Sequence, residues 1–225
     1  IDRVCYADQL PTELKKASQG YRRLLADPQA WKFAKLRTYG LSNDPKELDD
    51  MLWDLRAVKT NGELEFLKRA GQVSAKAHLA AMAAASPGLY EYQVQAVFEA
   101  ECLKAGLKHL AYPSIVASGR NGAVLHYRKN NAILKNGDLL LIDAGAECKG
   151  YAADITRTFP VNGRFTWKQK DIYSIVLETQ EQCIRRAKPG APSAELHFQA
   201  MRFIAEGLKF LNELGSISSE SKLEE

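Results

Sequence analysis

The sequence predicts an α+β domain in which helices cover one face of a sheet. Three observations carry this. Two long stretches of helical periodicity precede residue 106, the patterning turns strand-like over residues 112–161, and two more helical stretches follow residue 166. The chain has 225 residues, 46% hydrophobic and 26% charged, which excludes a wholly disordered or collagen-like polymer. That length fits one full domain with an appendage.

Residues 1–55 form the appendage. A strand candidate at 3–6 and a basic helical stretch at 14–25 are cut into short pieces by Pro28 and by Ser42-Asn43-Asp44-Pro45. The segment has too little apolar mass for its own core and reads as the end of a domain that begins upstream. Thr60 and Glu63 then make a capping box, opening a helix whose stripe is Leu64, Leu67, Gly71, Ser74, Ala77 and Ala81. Small residues dominate that stripe, which suits a helix lying close against a sheet. Ser86-Pro87-Gly88 stops it. The second helix is expected over 91–105, with Val94, Val97, Phe98 and Cys102 inward and Gly106 closing it.

Strands are expected over 115–117, 124–127, 139–147 and 152–161, where apolar and β-branched residues are separated by Gly and Asn turns. A helix over 167–187 is capped by Thr166 and ended by Lys188-Pro189-Gly190. Another, over 194–214, is capped by Ser193 and ended by Gly215. Residues 216–225 read as a polar, frayed tail.

The charge surplus, 31 Lys plus Arg against 27 Asp plus Glu, is small and dispersed, which argues against a nucleic-acid partner. No apolar run is long enough to span a membrane, and no charged-then-apolar leader is visible at the start. Cys5, Cys102, Cys148 and Cys183 are widely spaced without a CxxC pair and read as reduced thiols of a cytoplasmic protein.

The stretch that carries chemistry is LLLIDAGAECKGYAADITRTFPVNG, residues 139–163. Asp143 interrupts one otherwise apolar strand and Asp154 interrupts the next. An unpaired buried carboxylate is costly, so two in neighbouring strands call for a cation or a shared proton. A two-residue turn at 148–149 would make Asp143 and Asp154 direct cross-strand partners, and a bulge at Gly150 would shift that pairing by one residue. Facing carboxylates are hard oxygen donors, suited to a pair of divalent ions such as Mn²⁺, Co²⁺ or Zn²⁺. A carboxylate dyad sharing one proton, or two solvated turn aspartates, fits the spacing as well.

IDAGAECKGYAADITRTFPVNG, together with YPSIVASGRNGAVLHY upstream, closely resembles the Xaa-Pro aminopeptidases (aminopeptidase P) of the pita-bread metallopeptidase family. LRAVKTNGELEFLKRAGQVSAKAH, residues 55–78, is similar to that family's entry into its catalytic domain. The resemblance implies the pita-bread fold, with residues 1–55 as the end of an N-terminal non-catalytic domain and its linker. Residues 56–215 would then be the first part of the catalytic domain, followed by the tail at 216–225. It also implies a dinuclear metal centre, most naturally of Mn with Co or Zn as alternatives, in which Asp143 holds one ion and Asp154 bridges both. His126 corresponds to the family's substrate-binding His, Tyr112 to a Tyr beside the ligands, and Thr156 to a Thr near the metals. Arg157 either holds a carboxylate of the site or makes a surface ion pair, with the former slightly favoured. His78, His109 and His197 match no ligand position and read as structural.

The activity implied is metal-dependent release of the N-terminal residue from peptides with proline second. The alternatives are an Xaa-Pro dipeptidase and a non-catalytic peptide-binding module of the same fold. The family's remaining ligands, one His and two Glu, have no counterpart in these 225 residues. The chain alone is therefore expected to be inactive, and to form a homo-oligomer or be completed by a second half that covers its sheet edge.

Overall fold

A computed structural model describes residues 8–17, 19 and 45–213. The strand candidate at 3–6, most of the basic stretch at 14–25, Cys5 and the tail at 216–225 lie outside the described residues. Two compact units divide between Leu64 and Glu65. In the first, α1 (Leu10–Ala17) and α2 (Pro45–Ala57) are helical. Proline at the first helical position costs no hydrogen bond, because that amide has no intrahelical acceptor. Thr60 and Glu63 form the predicted capping box: the Thr60 amide donates to Glu63 Oε2 at 2.6 Å and the Glu63 amide to Thr60 Oγ1 at 3.4 Å.

That box opens α3 (Asn61–Ala84), which buries Ala70, Ser74, Ala77, His78 and Ala81. Next, α4 (Glu91–Lys104) buries Val94, Phe98 and Cys102 and ends at Gly106, whose φ of +81° favours glycine. Both pack on an antiparallel sheet of β1 (Ile115–Ser118), β2 (Leu139–Asp143) and β5 (Thr156–Pro160), with β2 central. A two-stranded ribbon, β3 (Glu147–Cys148) and β4 (Tyr151–Ala152), lies between β2 and β5 in sequence. α5 (Trp167–Arg186) carries the Thr166–Gln169 capping box, and α6 (Ser193–Glu213) follows. No described helix is long and apolar enough to cross a membrane.

Strand alternation sorts the two faces of the sheet. Leu140 and Ile142 are fully buried against Ala77, Ala81, Val94 and Phe98. Burying a side chain of this size contributes about 1.5–3 kcal/mol, so this face holds the main core. Leu141 points the other way and packs with Ile115, Ala117 and Tyr127. Asp143 shares that second face.

Three strand expectations are corrected. Residues 124–127 are a turn that follows a 3₁₀ segment (Gly119–Ala123): the Val124 amide donates to the Asn121 carbonyl, the Tyr127 amide to the Val124 carbonyl, and His126 sits at φ +54°. Val124 and Leu125 are solvent-exposed, so apolar composition there does not report burial. The strand expected over 139–147 is broken at 144–146, and the one expected over 152–161 starts at Thr156.

The register expectation is corrected too. The ribbon turns at Lys149 and Gly150, with φ of +55° and +86°, the double positive φ that a type I′ hairpin requires. The turn therefore falls one residue later than expected, and Asp143 pairs with Thr156, not with Asp154. Asp154 lies two residues before that partner, a diagonal neighbour of Asp143.

Five of the six backbone groups at the break, residues 144–146, are hydrogen-bonded. Ala144 donates to the Ile155 carbonyl, and the Ala144 carbonyl accepts from His78 Nε2 at 3.1 Å. The Gly145 carbonyl accepts from the Ala111 amide. The Ala146 amide donates to Ser74 Oγ at 2.9 Å, and the Ala146 carbonyl accepts from Ala153. The Ala153 carbonyl passes so close to Gly145 that a Cβ there would sit 1.8 Å from its oxygen. Gly145→Ala should therefore cost about 3 kcal/mol or more, the upper end of overpacking, read as a lower urea midpoint.

Because a carbonyl only accepts, His78 carries its proton on Nε2. Its Nδ1 is buried without a hydrogen-bond partner among the described residues, and burial is the main cause that holds the ring's pKa below 6.5. A folded pKa below the unfolded value means the unfolded chain takes up protons first. The stability tied to neutral His78 is present above pH 6.5 and is lost as pH falls below it. Urea midpoints measured between pH 8 and 5 should drop through this window, and His78→Gln should flatten the drop. A slope unchanged in that variant would contradict the assignment.

Candidate functional site

The segment before β1 runs beside the strand break. The Glu147 amide donates to the His109 carbonyl, Leu110 and Ala146 form an isolated antiparallel bridge, and the Ala111 amide reaches Gly145. This pairing delivers Tyr112 to the two aspartates. Its hydroxyl lies 2.6 Å from Asp143 Oδ1 and 3.0 Å from Asp154 Oδ1. One phenol oxygen thus gathers both carboxylates, although they are not paired across the ladder.

Burial, then the hydrogen bonds to Asp143 and Asp154, push the Tyr112 hydroxyl far above the ordinary phenol range. It stays protonated and acts as a donor. A single O–H cannot donate fully to two carboxylates, so this pair keeps acceptor capacity beside the shared hydroxyl. Such a donor set suits a hard divalent cation held by carboxylate oxygens. It is also short: no group of three or more His, Cys, Asp or Glu that could hold an ion occurs among the described residues. Asp143 and Asp154 fit a hard cation in kind, as two carboxylate donors and no more.

The remaining predicted residues separate into two groups. Thr156 is Asp143's partner in the β2–β5 ladder and is exposed beside it. Arg157 pairs with Ile142, so alternation turns it to the opposite face, and its Nη1 donates to the Thr156 carbonyl at 2.8 Å. His126 is exposed on its left-handed turn and makes no described hydrogen bond to either aspartate. His109 and His197 are exposed, whereas His78 supports the strand break from behind.

One residue with a large structural share escapes sequence reading. Glu91, in the first turn of α4, is fully buried. Oε1 accepts from the Ser118 amide at 2.7 Å, Ser118 Oγ at 2.8 Å and Asn121 Nδ2 at 3.0 Å. Oε2 accepts from the Tyr127 hydroxyl at 2.8 Å and the Ala132 amide at 3.0 Å. Burial pulls its pKa up, but the hydrogen bonds from Asn121, Ser118 and Ala132 outweigh it and hold the carboxyl below its usual value. An acidic residue in a helix's first turn ordinarily complements the helix dipole from solvent, so nothing local marks this one as buried.

Comparison with known proteins gives a consistent result. The family described as metallopeptidase family M24 matches residues 65–217. The Xaa-Pro aminopeptidase of Escherichia coli is 44% identical over 155 residues, 69% of this chain and 35% of that protein. Xaa-Pro aminopeptidase 3 of Mus musculus is 37% identical over 169 residues, 75% of this chain and 33% of that protein. Among solved structures, E. coli aminopeptidase P with the inhibitor Pro-Leu superposes with a TM-score of 0.85 at 33% identity, covering 98% of this chain and 52% of that one. Proline aminopeptidase P II from Yersinia pestis gives 0.85 at 32% identity, with 98% and 53% covered. The chain spans about half the length of these solved relatives, and the matches to the curated relatives span about a third of theirs.

Proposed function

The chain belongs to metallopeptidase family M24 and has the pita-bread fold, and from that premise we propose that the protein is a metal-dependent exopeptidase that releases the N-terminal residue of peptides with proline at the second position. The observation that carries the reading is the convergence of Asp143 and Asp154 on the Tyr112 hydroxyl. It lies in a chain whose relatives are named Xaa-Pro aminopeptidases. Xaa-Pro dipeptidase activity and a non-catalytic binding role find no observation of their own. The cytoplasm is the compartment this reading assigns, supported by the free thiols of Cys102, Cys148 and Cys183.

In this reading Asp143 and Asp154 hold divalent ions, two of them and most naturally Mn²⁺. When bound, such ions polarise a carbonyl and lower the pKa of water. Tyr112 orients both carboxylates through one hydroxyl, so the two residues that would hold an ion are kept together. Thr156 lies beside Asp143 with a hydroxyl able to donate to a ligand carboxylate or to water. His126, exposed at the mouth of its turn, takes the substrate side, where an imidazole N–H stabilises the oxygen of the scissile carbonyl as charge develops on it. Arg157 acts on the backbone of Thr156 and keeps that strand end in place.

The full-length protein supplied with Mn²⁺ should cleave an Xaa-Pro-Yaa peptide, and exhaustive chelation should stop it; cleavage that survives chelation removes the metal from the mechanism. Asp154→Asn removes charge without volume, so turnover and metal content should both fall while the circular dichroism spectrum stays unchanged. His126→Ala should lower kcat by about a hundredfold, the loss typical of one oxyanion donor, and leave metal content intact by atomic emission. Loss of metal in that variant would make His126 a ligand instead.

A further inference from the structure

The loop that presents His126 starts and ends on a single buried carboxylate. Residues 119–132 leave β1 at Ser118, and both the amide and the hydroxyl of Ser118 donate to Glu91 Oε1, joined by Asn121 Nδ2. The loop returns through Tyr127 and Ala132, which donate to Oε2. His126 directly precedes Tyr127, and its φ of +54° lies in a region that a non-glycine residue occupies only when its surroundings hold it there. Between the two anchor points Val124 and Leu125 are exposed, and the turn is closed by backbone bonds from Val124 to Asn121 and from Tyr127 to Val124. The outer ends of those bonds, Asn121 and Tyr127, are themselves bonded to Glu91.

The anchor itself is rigid. The Glu91 amide donates to the Ala132 carbonyl at 2.9 Å, and Leu89 and Leu134 are joined by a further backbone bond just beyond it. Asn121 Nδ2 also lies 3.0 Å from the Tyr127 hydroxyl, so the two groups on opposite sides of the carboxylate touch each other. Five donors converge on one side chain that no water reaches. A network satisfied to this degree specifies one geometry, and loss of the carboxylate would leave the buried Ser118 and Ala132 amides without their acceptor.

We propose that Glu91 is a positioning residue for His126: its carboxylate, clamped by Ser118, Asn121, Tyr127 and Ala132, sets the left-handed turn that displays the imidazole to substrate. The inference rests on the substrate role proposed for His126, and the geometry of the clamp stands apart from that role. Glutamine at position 91 would keep the volume but offer one acceptor oxygen and one NH₂ group. Whichever way the amide is flipped, its NH₂ faces an N–H donor, of Ala132 on one side or of Ser118 and Asn121 on the other. Tyr127→Phe is a milder probe that removes one donor and leaves the ring in its packing against Ile115 and Ala117.

The test is a double-mutant cycle on the full-length protein, with an Xaa-Pro-Yaa peptide as substrate and Mn²⁺ present. Alone, Glu91→Gln should lower kcat by about tenfold to a hundredfold, the scale of a misplacement near 1 Å, with metal content retained. In a His126→Ala background the same change should cost less than about twofold, because the group it positions is gone. Tyr127→Phe should follow the same pattern with a smaller loss. Equal losses in both backgrounds would make Glu91 a general stability residue and overturn the inference while leaving the activity reading intact. A His126→Ala enzyme with unaltered kcat would instead sink the role of His126, and this inference with it. Hydrogen–deuterium exchange gives a readout free of activity: Glu91→Gln should speed exchange across residues 119–132 and leave β2 and α3 protected. Unchanged exchange in that loop would also overturn the proposal.

Discussion

The close crossing of the Ala153 carbonyl over Gly145 is the constraint on which the rest of the site depends. A side chain at 145 is sterically impossible there, since the oxygen already occupies the place of a Cβ. The crossing breaks the ladder between β2 and the ribbon, and a broken ladder in a protein interior leaves amides and carbonyls to be matched one by one. Helix α3 supplies two of those matches from beneath, Ser74 to Ala146 and His78 to Ala144. The stretch before β1 supplies another, Ala111 to Gly145, and brings Tyr112 with it. The buried residues of α3 thus have two jobs: Ala70, Ala77 and Ala81 let the helix approach the sheet, and Ser74 and His78 use that closeness to bond its backbone.

From this follows a division of labour between the two faces of one sheet. Leu140 and Ile142 point into the main apolar core, which makes β2 a rigid support. Asp143 alternates to the other face at the end of the same strand, where the backbone that carries it cannot shift without disturbing the core. Asp154 reaches the same region by a different route, from the irregular residues between β4 and β5. A ladder alone would have set it opposite Gly145; the shared hydroxyl of Tyr112 draws its carboxylate towards that of Asp143. Two anionic groups gathered on one donor form an arrangement that favours a cation, which is the basis for reading the pair as metal ligands.

Glu91 and the Asp143–Asp154 pair show how burial decides what a carboxylate can do. Glu91 is saturated by donors and has no capacity left for chemistry, so it acts on geometry alone. The two aspartates share the Tyr112 donor and are more accessible, so they keep acceptor capacity for a ligand. The same functional group becomes a structural pin in one place and a candidate ligand in the other.

Much of this was legible before the fold was known. Side-chain capping at Thr60 and Thr166 marked two helix starts correctly because the partners lie three residues away. The apolar stripe of α4 and the aspartates interrupting apolar strands were equally local signals. The long motif over residues 139–163 identified the family without any geometry. Three features were not legible. The ribbon turns at Lys149–Gly150 because positive φ is needed at both central residues, and a Lys there gives no sign that it will accept it. Residues 124–127 looked like a strand by composition, yet a glycine-bearing 3₁₀ segment and Glu91's hold on Tyr127 bend them into a turn. Nothing in its neighbourhood along the chain marked Glu91 as buried. Its donors are 27 to 41 positions distant along the chain. Periodicity and caps are written in neighbouring residues, so the sequence by itself determined where helices begin, which residues could carry chemistry and which family the chain joins. Register, the shared Tyr112 hydroxyl and the Glu91 clamp depend on groups far apart in sequence, and only the tertiary structure decided which of them would meet.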